Sequence, residues 1–146
     1  MQDMVTGLVK QNLNKEHKNM VLVEYRLAEG GTMEMDWMPV MMPYGGPGYG
    51  MYLMPETGTE VVIGFRFGDR SKPFVMGALL ENMDSVPEAG GTGNIPARML
   101  KTRTGFTVSV DEEQDGFLFT DPAGQNQVAV SSGKDHGSLV IDIREK

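Results

Sequence analysis

The sequence predicts an all-β protein, a compact set of strands followed by a second series of shorter ones. Three observations carry this. Apolar residues fall in short β-branched or alternating runs rather than at helical spacing. The runs are separated by turn residues: 19 glycines and 8 prolines among 146 residues, with no Gly-x-y period that would mark collagen. Beyond residue 105 the strand–turn alternation recurs about every 10 to 12 residues, a weak repeat. The length fits one ordinary domain, or one small domain with an appendage.

The elements follow in order. Val5 to Asn12 fits a turn or short helix, or equally a first strand, and Gly7 weakens either assignment. Asn14 to Asn19 is a polar turn, and Met20-Val21-Leu22-Val23-Glu24-Tyr25 reads as a strand. After a loop containing Gly30-Gly31, Met35 to Met41 resumes apolar character, with Pro39 calling for an edge or a bulge. Pro43 to Gly50 is a glycine, proline and tyrosine loop leading into Met51-Tyr52-Leu53-Met54, a short strand candidate. In Glu60 to Phe67, period two puts Val61, Phe65 and Phe67 on one face. Gly68 to Pro73 is a turn, and Phe74 to Leu80 closes the pattern. About five strands in the first 80 residues fit a small antiparallel barrel or a small sandwich, and periodicity does not choose between them.

Glu81 to Arg98 has few core candidates and gives the internal boundary, with 84–97 as linker between a domain at 1–83 and a tail at 98–146. In the tail, Phe106, Val108 and Val110 share one parity, followed by Phe117 and Phe119, then Val128 and Val130, then Leu139, Ile141 and Ile143. Four short strands with so few apolar side chains on one face cannot bury a core alone. They must pack on the first domain or on other copies of themselves.

Composition excludes several functions. With no cysteine, disulfides, thiolate nucleophiles and cysteine-ligated metal centres are ruled out. A net charge of −7 disfavours a nucleic-acid groove or an anionic membrane surface. The start lacks the basic and apolar regions of a signal peptide, and no apolar stretch approaches the roughly 18 residues of a membrane span, so neither is expected.

Candidate chemistry is sparse. His17 and His136 read as solvated turn residues without a metal-ligand spacing, so a metal on His136 needs three copies meeting at an axis. Gly45 to Gly50 is followed by strand character and no Lys-Ser or Lys-Thr, so it reads as a structural loop rather than a phosphate cradle. Its Tyr44 and Tyr49 are the natural contacts if the loop binds anything. Glu56 and Glu60 make a conceivable carboxylate pair, but no cleft is visible for them. Asp69 and Arg70 read as turn geometry with a surface ion pair. The methionines crowded between Met33 and Met54 suit core filling or an adaptable interface. Trp37 reads as a core anchor.

From Trp37 to Leu80 the chain resembles the oligosaccharide/oligonucleotide-binding (OB) domain of phage baseplate spikes, the baseplate assembly protein V group, and of the VgrG spikes of type VI secretion. The resemblance rests on Trp37 to Val40, Gly45 to Gly50, Met51 to Pro55, Gly58-Thr59-Glu60-Val61-Val62-Ile63-Gly64-Phe65, Gly68-Asp69, Pro73, Val75 to Leu79 and Asn82, in that order. Lys101 to Thr107 resembles the segment that opens the β-structured spike of the same proteins. The early strand departs from the usual basic pattern, and there is no room for the lysozyme domain of some phage spikes.

The resemblance implies a five-stranded OB-fold barrel followed by a short intertwined trimeric β-helix or β-prism spike. It implies a non-enzymatic homotrimer without cofactor or metal, seated on a baseplate hub protein and capped by a separate PAAR-like tip protein. No nucleic-acid partner is expected, and the target membrane is met only on firing. The protein would be cytoplasmic during assembly and then part of a phage virion, tailocin or injection particle. Trp37, Val61, Ile63 and Phe65 are expected to support the barrel, with Gly58, Gly68 and Gly77 at turns or close approaches. Phe106, Val108, Phe117, Phe119, Val128, Val130, Leu139, Ile141 and Ile143 are expected to form the spike core. The alternative is a carbohydrate- or nucleic-acid-binding OB module using Tyr44 and Tyr49 as a stacking platform.

Overall fold

The computed structural model describes residues 4–26, 34–81, 98–112, 115–132 and 137–144. The interval 84–97 read as a linker lies outside them, as do Asn82 and His136. The chain divides into two compact units, Met1–Met83 and Asp84–Lys146.

In the first unit, strands β1 (Val5–Gln11), β2 (Met20–Arg26), β3 (Met35–Pro39), β6 (Glu60–Phe65) and β7 (Pro73–Ala78) form one sheet in the order β3-β2-β1-β6-β7. The two-residue strands β4 (Gly45–Gly46) and β5 (Tyr49–Gly50) form a separate hairpin. The ends of the five-stranded order meet at a parallel bridge between Val40 and Val75, reinforced by Met41 N–H donating to the Val75 carbonyl at 2.8 Å. That contact joins the two edge strands at one point and curls the sheet into a partly open Greek-key barrel. The choice that periodicity leaves open is thus resolved as the barrel.

Alternation decides what fills it. Val9 from β1, Val21 and Val23 from β2, Met38 from β3, Val61 and Ile63 from β6 and Val75 from β7 are fully buried. Val5, Tyr25, Val40, Met54 and Phe65 pack around them. Burial of each large aliphatic side chain contributes about 1.5–3 kcal/mol.

The structure corrects several sequence expectations here. Of the alternatives open for Val5 to Asn12 the strand is the one formed, and Gly7 permits rather than weakens it: a Cβ there would clash with Val23 Cγ1 and stand 2.9 Å from Ile63 Cδ1. Met51 to Met54 is not a strand. The segment is instead tied down by Met51 N–H donating to the Tyr44 carbonyl at 2.9 Å and by the Asn12 side-chain amide donating to the Pro55 carbonyl at 3.0 Å. Phe67 does not share the face of Val61, because β6 ends at Phe65 and the chain enters a tight turn at Arg66–Gly68.

The second unit is an antiparallel meander. Its strands β8 (Arg98–Lys101), β9 (Thr107–Asp111), β10 (Gly116–Thr120), β11 (Gln127–Ser132) and β12 (Gly137–Asp142) lie side by side in chain order. The turn before β11 is built on Asp121, whose carboxylate accepts from Gln125 N–H at 2.8 Å, Asn126 N–H at 3.2 Å and the Asn126 side-chain amide at 2.7 Å. β8 adds a fifth strand to the four that the apolar pattern predicts. Its Met99 and Leu100 are too short an apolar run to register as a strand before it pairs with β9.

Candidate assembly face

Strand register in the second unit collects the apolar residues of the tail. Leu100, Val108, Phe119, Val128 and Ile141 are successive cross-strand partners over the whole sheet. Beside that row run Val110, Phe117, Val130 and Leu139. Two rows of large apolar side chains therefore share one face, as period-two geometry requires. Phe117 and Phe119 touch edge to face, with ring centroids 5.8 Å apart. Phe106 and Ile143 continue the apolar surface at one end, where they help to line an open depression of about 440 Å³ with Leu100, Val108, Phe119 and Val128. On the opposite face, Lys101, Thr107, Thr120, Gln127 and Asp142 form a polar row.

The apolar face is uncovered in the single chain. Ile143 is 76% exposed, Leu139 64%, Ile141 62% and Phe119 46%. Val130 is half-buried, and no described residue of this unit is fully buried. A contiguous apolar surface of this kind marks an interaction site.

In the first unit the expected barrel residues divide. Val61 and Ile63 are fully buried and Phe65 packs at the margin of the core. Trp37 is not a core residue: alternation along β3 turns Met38 inward, leaving Trp37 half-buried on the other face. There its indole stacks on the His17 ring, centroids 4.4 Å apart and planes 12° from parallel. His17 is accordingly a stacked, half-buried residue and not a freely solvated one. Gly58 and Gly68 occupy left-handed turn positions, with φ of 88° and 71°. Gly77 serves neither a turn nor a close approach, since it lies inside β7 with open space where a Cβ would project. Close contact demands glycine at Gly7, at Gly64 against the Phe74 ring, and at Gly50, where a Cβ would fall on the backbone of Tyr44 and Gly45.

Tyr44 and Tyr49 are exposed at the tip hairpin, but their rings lean on each other at 51° with centroids 5.8 Å apart. That tilt does not make a flat platform for two stacked rings. The Tyr49 ring also lies across Gly46, where a Cβ would meet it at 2.4 Å.

The described residues contain no cluster of three or more His, Asp or Glu side chains able to hold a metal. Among the described residues, two carboxyls are shifted below their ordinary value by hydrogen bonds: Asp69 by the Ser71 hydroxyl and backbone, and Asp121 by Asn126 first and then the backbone of its own turn. Both shifts belong to turn construction. The sequence expectation of turn geometry at Asp69 holds, and its ion-pair partner is Lys72 at 3.3 Å rather than Arg70.

Residues 5–80, more than half of the chain, match the type VI secretion system/phage-baseplate injector OB domain. The chain belongs to that family. It is 29% identical over 137 residues to the type VI secretion system spike protein VgrG5 of Pseudomonas aeruginosa, a match covering 90% of this chain. It is 28% identical over the same length to VgrG4b, a spike protein of that organism. A match at 25% identity over 79% of this chain is to the actin cross-linking toxin VgrG1 of Vibrio cholerae. The chain spans only 16% of the length of the two Pseudomonas relatives and 10% of the Vibrio one. The injector OB domain is a structural module of spike proteins, and the all-β antiparallel architecture described above agrees with it. No helix among the described residues is long and apolar enough to cross a membrane.

Proposed function

We propose that this chain is a non-catalytic spike element of a contractile injector baseplate and assembles as a homotrimer. The apolar faces of 98–146 would pack against one another around a three-fold axis. The observation that carries the reading is the uncovered apolar face. Two rows of Val, Leu, Ile and Phe lie on one side of a single sheet, with no layer of the described unit to cover them. One sheet layer does not make a core, whereas three such faces meeting at an axis exclude water from all of them.

In this reading the OB barrel sits toward a baseplate hub protein and the β-structured tail points toward the target, capped by a separate tip protein. A stiff trimer transmits the thrust of sheath contraction along hydrogen-bonded strands, and the energy for piercing comes from the contracting machine. The relatives' spike names support the assignment, while the toxin name belongs to a far longer polypeptide than this one.

The deciding experiment is absolute mass by light scattering on the full chain. The expected result is a stable species of about 48 kDa, three chains of 16.0 kDa. A folded species that stays at 16.0 kDa at all concentrations would reject the trimer. Val130→Asp places a charge within the apolar rows and is expected to lower both mass and thermal stability. If neither changes, the face is not an assembly surface.

A further inference from the structure

A knob and a socket lie close together on the barrel, and neither is used by the tail's assembly face. The knob is Phe67, in the turn between β6 and β7. It is 95% exposed, the most exposed of the large apolar side chains described, and its backbone is left-handed with φ 56° and ψ 21°. A bulky residue rarely adopts that conformation. Here it is held by Asp69 N–H donating to the Arg66 carbonyl at 2.9 Å and by Arg66 N–H donating to the Lys72 carbonyl at 3.0 Å. The turn is basic within a chain of net charge −7. Lys72 is paired to Asp69, and Arg66 makes no ion pair or side-chain hydrogen bond among the described residues.

The socket is a cavity of about 330 Å³ walled by Val5, Tyr25, Met35 and Phe65 and rimmed by Glu34 and Asp36. Neither rim carboxylate is ion-paired among the described residues. Burial, followed by the Asp36 and Glu34 charges, raises the pKa of the Tyr25 hydroxyl, which fits a locally negative site. Arg70 lies against the same cavity, 5.8 Å from the Phe65 ring centroid.

Resting on the trimer proposed above, we propose that Phe67 of each copy docks into the Tyr25–Met35–Phe65 socket of the next copy, with Arg66 meeting the Glu34 and Asp36 rim. The occupant is a second copy because shape and charge match within this one sequence: an exposed aromatic beside Arg66 with the Lys72 ammonium over its ring, and a hollow of mixed polar and apolar lining that carries two carboxylates against the single cation Arg70. Neighbouring knob and socket patches on one chain can each engage a different copy around a rotation axis, and three such contacts close a ring. An anionic lipid surface is a poorer occupant, since a chain of net charge −7 is repelled by it.

The test exploits the absence of native cysteine. Phe67→Cys is combined with Met35→Cys in the full chain, oxidised, and run on a non-reducing gel, with both single variants as controls. The expected result is a ladder ending at three linked chains in the double variant only. If light scattering reports the trimer but the double variant gives no link, or only an intrachain one, this contact is wrong and the trimer stands. A monomeric mass overturns both. Phe67→Ser provides a readout without cysteine: the concentration at which the assembly half-dissociates should rise about tenfold, the effect of losing an aromatic anchor, with circular dichroism unchanged. An unchanged midpoint removes the knob from the interface.

Discussion

Gly7, Trp37 and Asp121 show how single residues set this fold. Gly7 permits β1 to pass Val23 and Ile63 at a distance that no side chain tolerates. Gly7→Val is expected to cost about 1–3 kcal/mol, the range for overpacked cores, read as a lower urea midpoint. Removing the stack in His17→Ala is expected to cost about 0.5–1.5 kcal/mol and to shift the emission of Trp37, the only tryptophan, to longer wavelength. Asp121 makes stability pH-dependent in a known direction. Its carboxyl is held below the unfolded value of 3.8, so its contribution is fully present above that pH and is lost as pH falls through the lower folded value. Asp121→Ala should therefore be less stable than the native chain at neutral pH, with the difference shrinking in acid melts. A constant difference down to the acid limit would reject the assignment. The sequence reading takes Trp37 as a core anchor, but the parity of β3 gives the interior to Met38. One position along a strand exchanges core for surface.

At the scale of the element, the tail was legible and the Gly/Tyr segment was not. Parity alone grouped Val108 with Val110, Phe117 with Phe119, Val128 with Val130 and Leu139 with Ile141, each pair within its own strand, because side chains alternate regardless of the partner strand. Their alignment into rows on one face needed the register, which the pairing of β9 to β12 supplies. Met51 to Met54 had strand composition but no partner strand. A β-strand is defined by its neighbour, and composition does not reveal the neighbour. Gly77 failed for the opposite reason: the residue type is permissive, but nothing approaches it. The face assignment yields a paired prediction within one strand. Phe119→Ser, on the apolar rows, is expected to reduce assembled mass, whereas Leu118→Ser, on the opposite face of β10, is expected to leave it unchanged. Equal effects would mean that side-chain direction does not matter and that the assembly face is misassigned.

For the whole molecule, charge and hydrophobicity pull in opposite directions. Three copies of a chain of net charge −7 repel one another, while their exposed apolar rows favour contact. Salt screens the first and leaves the second, since the Debye length falls to about 3 Å at 1 M. The proposed trimer is therefore expected to dissociate at lower protein concentration in 1 M salt than in dilute buffer, measured by sedimentation; dissociation promoted by salt would point instead to an assembly held by ion pairs. The sequence by itself determined the all-β class, the strand parities and the shortage of core in the tail, because these depend on period-two spacing and on the number of apolar residues. Its ordered Gly, Pro and aromatic landmarks also pointed to the injector OB domain. Only the tertiary structure decided that β1 is central, that Val40 meets Val75 to curl the sheet into a barrel, that Met38 displaces Trp37 from the core and that Phe67 stands beside an acidic socket. Each depends on which distant segments become neighbours, and chain spacing carries no information about that until the strands pair.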